Sequence, residues 1–264
     1  MMNIVLDKSY LQGAGREEIH ELCRLHSVIM PESLFFELLT AEPDVRARCF
    51  SKLPAVDNPV ILAPHSGTIL RHEINNGAPC RDIMKIAINI PYKFNEELIG
   101  PNFKISDEQQ RSISEWKSDF AAQVEGFKEK SACISGWFPE LEGFAAGSNP
   151  EPIDKAKASI CKDQNMVKTI YESIRHTSFP NAELITVEWA LFRWVQVHVF
   201  AALEYVWKYG DGNSAAVSRK IENEFLDLDY CVTALIVGAL ASRDNGMIEK
   251  FRCMRPDGTV IDHI

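Results

Sequence analysis

Short apolar runs alternate with helical periodicity over the first part of this chain, and that alternation restricts the fold more than any other feature. Asn3-Ile-Val-Leu-Asp7 is a run that closes on a carboxylate. Gly13 and Gly15 punctuate, and Ile19, Leu22, Cys23 and His26 then recur at the three- and four-residue steps of a helix. Ser27-Val-Ile-Met30 is a second run, after which Pro31 opens a helix through Glu32-Ser-Leu-Phe-Phe-Glu-Leu-Leu39. A third run at Pro59-Val-Ile-Leu-Ala63 precedes a helix from about Gly67 to Ile74. Strands that alternate with helices pair in parallel with helices covering the sheet, so the expectation is an α/β fold.

The pattern changes after about residue 90. Ser106-Asp-Glu-Gln109 is a capping box, and Ile113, Trp116, Phe120, Val124 and Phe127 follow it on one helical face. Thr186 to Tyr209 is apolar on most sides and needs neighbours all round. Helices are then expected over Ser214–Leu226 and Tyr230–Val237, a strand at Ala239-Leu-Ala-Ser242 after a turn at Gly238, and a last strand at Phe251–Met254. This divides the chain into a first core segment (1–90), an all-helical insertion (91–210) and a second core segment (211–264).

Composition removes several classes. With 46% hydrophobic and 25% charged residues the chain of 264 residues is an ordinary folded protein and not a disordered tail. Asp7 interrupts the N-terminal apolar run before a secretory leader forms, and Trp194–Leu203 is too short to span a bilayer, so no membrane association is expected. Seven scattered cysteines without C-x-x-C spacing suggest neither a disulfide framework nor a zinc knuckle, which fits a reducing cytoplasm. Lys+Arg number 28 against 37 Asp+Glu, a net charge of −9, so any nucleic-acid contact must come from a local site.

The acids carry the chemistry. Asp7 and Asp244 each end a predicted strand, and strand carboxyl ends of a parallel sheet share the edge at which such folds bind ligands. Glu37 lies among Phe35, Phe36, Leu38 and Leu39, where an unpartnered charge is costly. Asp227 and Asp229 precede an apolar helix. Carboxylates about 5 Å apart repel by about 3 kcal/mol per pair at an effective dielectric near 20, so a cation belongs between them. An all-oxygen cage suits Mg²⁺ or Mn²⁺, which lowers the pKa of bound water and clamps a phosphodiester.

These segments resemble a known family. Val5-Leu-Asp7-Lys-Ser9, Met30-Pro-Glu-Ser-Leu-Phe-Phe-Glu37-Leu-Leu, Asp227-Leu-Asp229-Tyr-Cys-Val-Thr-Ala-Leu-Ile and Ala241-Ser-Arg-Asp244-Asn-Gly-Met are similar to PIN-domain nucleases. The resemblance implies a PIN-like core and an endoribonuclease that uses an acidic quartet with Mg²⁺ or Mn²⁺. Residue by residue it places metal ligands at Asp7, Glu37 and Asp244, with the third acid at Asp227 or Asp229 and Asp227 favoured by its spacing from Asp244. Ser9 matches a small hydroxyl residue of the same pocket. RNA is the implied substrate, while a regulatory or inhibitory protein partner and a homodimer stay open. The rival is a non-catalytic interaction module in which the acids solvate the sheet edge. Two departures weigh against the nuclease: the chain is far longer than a minimal PIN domain, and the passage from Tyr230 to Asp244 is compressed.

Other features have mainly structural readings. His65, Arg71, His72 and Glu73 form a polar cluster that could touch phosphate or add a fifth carboxylate, but a surface helix explains it as well. His198 is expected as a hydrogen-bonded core residue, and Trp189, Trp194 and Trp207 as packing rather than base-stacking groups. Lys85, Lys93 and Lys104 are candidates for local positive charge.

Overall fold

The computed structural model describes residues 1–86, 98–100, 103–131, 133–210 and 218–263. In chain order its regular elements are β1 (Asn3–Leu6), α1 (Lys8–Gly13), α2 (Arg16–Leu25), β2 (Ser27–Pro31), α3 (Glu32–Leu39), α4 (Pro43–Phe50), β3 (Ile61–Ala63), α5 (Ser66–Asn76), α6 (Asp107–Ser131), α7 (Glu151–Lys162), α8 (Gln164–Ile174), α9 (Ala190–Tyr209), α10 (Ser218–Val237), β4 (Ala239–Ala241), α11 (Asn245–Met254) and β5 (Thr259–Ile261). The strands form one parallel sheet in the order β3-β2-β1-β4-β5. The fold is therefore α/β, as the alternation requires.

Sheet position follows from side-chain chemistry. β1 is central, and Ile4, Val5 and Leu6 are all fully buried, so this strand is an unbroken apolar run rather than an alternating one. Val5 pairs with Leu240 and Leu6 with Ala241 on one side, and Asn3 with Ser27 on the other. β5 lies at an edge, with Thr259 exposed and the next two residues half-buried. Gly238 ends α10 at φ 90°, a left-handed turn that delivers the chain straight into β4.

The segment 103–210 contains helices and no strand among its described residues. α9 packs on α5, α6, α7, α8 and α10, and its buried residues continue the core that starts at the sheet. Glu73 fixes the start of this helix. Its carboxylate is fully buried and accepts hydrogen bonds from the backbone N–H groups of Ala190 (2.8 Å), Leu191 (2.9 Å) and Cys80 (2.8 Å). Burial raises the Glu73 pKa, and these three donors oppose the rise. Glu73 is thus the N-terminal anchor of α9 and not a fifth acid of the site.

Three further expectations are corrected. The helices placed at 214–226 and 230–237 are one helix, α10, over its described length, because Asp227 and Asp229 are accommodated within it instead of starting a second one. Phe251–Met254 is helical: Met247, Ile248, Phe251 and Met254 bury one face of α11 at helical spacing, and the last strand follows the 256–258 turn. Cys161 and Cys253 form a disulfide between α7 and α11, which the scattered spacing did not reveal because residues 92 apart meet only when those helices pack. Among the described residues no helix is long and apolar enough to cross a membrane.

Candidate active site

Asp7 directly follows β1 and Asp244 comes shortly after β4, so the parallel pairing of these neighbouring strands brings both to one carboxyl edge. α3 contributes Glu37 and α10 contributes Asp227. All four acids line one pocket of about 210 Å³, together with Lys8 and Ser9.

Each acid is held differently. Asp7 is buried, and its Oδ2 accepts hydrogen bonds from the hydroxyls of Ser242 (2.6 Å) and Ser9. Burial pushes its pKa up; the two serines oppose this, while the charge of Asp244 adds to it. Ser9 also accepts from the Arg243 N–H at 2.9 Å, so the hydroxyl placed in this pocket by sequence pins the β4–α11 turn against α1. Asp244 caps α11 by accepting from the Met247 N–H at 2.8 Å. Glu37 pairs with the Lys8 ammonium and accepts from the Tyr230 hydroxyl at 2.8 Å.

Asp227 is the acid least well compensated. Its pKa is raised to about 7, first by burial and then by Asp7, Glu37 and Asp244, with Lys250 the opposing charge. Lys250 reaches Glu204 at 3.1 Å. Burial pulls the Lys250 pKa down, but Glu204 and the other acidic groups around it leave it raised, so it stays a cation beside Asp227.

Asp229 does not join the quartet. Two residues along a helix is a turn of about 200°, so Asp227 and Asp229 leave α10 on opposite sides. Asp229 accepts from the Ser33 hydroxyl (2.5 Å) and from the Ser66 N–H (2.7 Å) at the start of α5, with His65 Nε2 at 3.6 Å. It ties α3 and α5 to α10, and its assignment as a metal ligand is withdrawn. His65 is likewise structural: its Nδ1 accepts from the Gly67 N–H at 3.1 Å.

Lys8 and Tyr230 were not identified from sequence as site residues. The available signals were adjacency for Lys8, next to Asp7, and the i, i+3 step for Tyr230 from Asp227. Lys93 lies outside the described residues, and Lys85 and Lys104 do not line the acidic pocket. His198 Nδ1 is 2.8 Å from the Trp194 carbonyl and its ring stacks on Trp194; burial lowers its pKa to about 4 and keeps it neutral. Trp189 is buried, as packing requires, whereas Trp207 is 37% exposed.

The donor set can be tested against a divalent cation. It consists of carboxylate and hydroxyl oxygens, which suits Mg²⁺ or Mn²⁺. Asp7 and Asp227, whose pKa values are raised, are acids that a further positive charge would stabilise. Among the described residues, however, no three such side chains are drawn together into a ready-made cage. An ion held there would have to complete its coordination with water, as Mg²⁺ commonly does, while Lys8 pairs with Glu37.

Comparison with protein-family models, with curated proteins and with solved structures finds no match to this chain.

Proposed function

We propose that this protein is a divalent-metal-dependent phosphodiester hydrolase acting on RNA, a PIN-like nuclease. The observation that carries this reading is the meeting of Asp7, Glu37, Asp227 and Asp244, from four separate elements, in one pocket at the carboxyl edge of a parallel sheet. RNA as substrate rests on the family resemblance.

Asp7, Asp227, Asp244 and Glu37 would hold the cation, which when bound supplies Lewis acidity and a more acidic water. The remaining chemistry belongs to the chain. Ser9 and Ser242 fix Asp7 by hydrogen bonds to Oδ2 and so orient its other oxygen. The Tyr230 hydroxyl does the same for Glu37. Asp227, whose pKa burial and the neighbouring acids raise to about 7, is an acid whose negative charge a bound cation would stabilise. Lys8 and Lys250 lower the negative potential that a phosphodiester must enter.

The rival, a non-catalytic interaction module, draws on the internal partners already present, since Lys8 neutralises Glu37 and Asp244 caps a helix. RNA cleavage assays with Mn²⁺ or Mg²⁺, with and without EDTA, separate the two. Cleavage that needs the metal and drops at least 100-fold in Asp7→Asn and in Asp227→Asn is expected. Metal-independent cleavage, or full activity in both variants, refutes the site; no cleavage of any RNA by the wild type favours the module.

A further inference from the structure

A second cavity, of about 520 Å³, opens at the other end of the sheet. Its charged lining is Arg81, Arg193, Arg255, Glu188 and Asp257. Arg255 and Asp257 lead into β5, and Gly238, over which the Arg255 guanidinium lies, leads into β4. The cavity therefore sits by the amino ends of those strands, whereas the acidic pocket sits by their carboxyl ends.

Two guanidiniums, those of Arg193 and Arg255, face this space, and among the described residues neither forms an ion pair. Arg193 is 6% exposed; its Nε donates to the Val187 carbonyl, and its Nη1 donates to Gln196 Oε1 and to the Met254 carbonyl, each at 2.8–2.9 Å. Arg255 donates through Nη1 to the Leu235 and Ile236 carbonyls at the end of α10. All these acceptors are neutral. Among the described residues none accepts from Nη2 of Arg193 or from Nε and Nη2 of Arg255, and neither arginine has a carboxylate within ion-pair distance. Burial and then the charge of Arg255 push the Arg193 pKa down to about 10, with Asp257 opposing. At the rim Arg81 pairs with Glu188 at 3.6 Å, both largely exposed.

Carbonyl caps account for some of these donors and leave the paired positive charge unexplained. Buried charges are normally paired, and guanidinium forks match the oxygens of phosphate. The volume falls in the range of small-molecule sites, roughly 300 to 1,000 Å³. In a chain of net charge −9, a local concentration of arginine is what would draw in an anion. We propose that this cavity binds a small phosphate-bearing ligand, with Arg193 and Arg255 contacting the phosphate and Arg81 at the entrance. The site is separate from the acidic pocket and does not depend on the nuclease reading.

Calorimetric titration in EDTA, with inorganic phosphate, pyrophosphate and adenosine 5′-monophosphate as probes, tests it. Saturable one-to-one binding of at least one probe is expected, weakened about tenfold or more in Arg193→Gln and several-fold in Arg81→Glu, and not weakened in Asp7→Asn. Tighter binding of the nucleotide than of inorganic phosphate assigns the site to a nucleotide; equal affinity assigns it to the phosphate group alone. Should Arg193→Gln fail to fold, as judged by circular dichroism, the exposed Arg81→Glu decides alone. Absence of saturable binding to the wild type, or unchanged affinity in every folded arginine variant, overturns the proposal.

Discussion

Asp227 concentrates the electrostatic cost of the acidic pocket in one side chain. Its carboxyl ionises near 3.8 when exposed and near 7 in the folded chain, so between those values the folded state binds the extra proton. Folding stability contributed by this group is therefore full at low pH, falls as pH rises through that window, and is lost above about 7. In EDTA at pH 8, Asp227→Asn is expected to stabilise the protein by about 2 kcal/mol and to flatten the slope between pH 4 and 7, as measured by urea unfolding. A destabilised variant at pH 8 would show that the carboxylate is already compensated. Lys8 offers a complementary probe. It holds Glu37 from the position a cation would claim, so Lys8→Met should tighten Mn²⁺ binding roughly tenfold, read from the Mn²⁺ dependence of Tm, a gain of about 1.4 kcal/mol. Unchanged or weaker Mn²⁺ binding means that Lys8 and metal do not compete. These couplings were invisible in the sequence: Glu37 and Tyr230 are far apart along the chain, and only the packing of α3 against α10 joins them.

At the scale of elements, legibility followed the range of the signal. β1, β2, α2 and α3 were readable because an apolar run or a helical stripe is local information, and the observed limits of β1, β2 and α3 lie within a residue or two of the expected ones. α11 was mistaken for a strand because the four residues Phe251–Met254 alone have no period, and the buried face appears only when Met247 and Ile248 are added. Spacing left Asp227 and Asp229 both open as the third acid; along α10 Asp227 lines the acidic pocket and Asp229 turns toward α5. The disulfide between α7 and α11 closes a loop of 92 residues, and its removal by reductant or Cys253→Ser should cost about 2 to 5 kcal/mol in urea unfolding. Identical stability with and without reductant would mean the bridge does not form in solution. Gly238→Ala should cost about 1 to 3 kcal/mol, since φ is 90° and a Cβ would come within 2.8 Å of the Arg255 guanidinium. An alanine variant as stable as the wild type rules out strain at this turn.

The two ends of the sheet differ in local charge: four carboxylates with Lys8 line the pocket at one, and three arginines with Glu188 and Asp257 line the cavity by the other. Composition could not show this, because a net charge of −9 averages over both. Mn²⁺ at 100 times its dissociation constant should raise stability by about 2.7 kcal/mol, reversibly with EDTA and not in Asp7→Asn; thermal melts that do not move would remove the metal from the proposal. The anchoring of α9 by Glu73 also governs how this chain can be shortened. Deleting residues 91–210 to obtain a minimal nuclease would strip that carboxylate of two of its three amide donors and uncover the side of α10 now sheathed by α9. Such a truncate should precipitate or stay unfolded unless position 73 is made apolar and α10 is given a new polar coat.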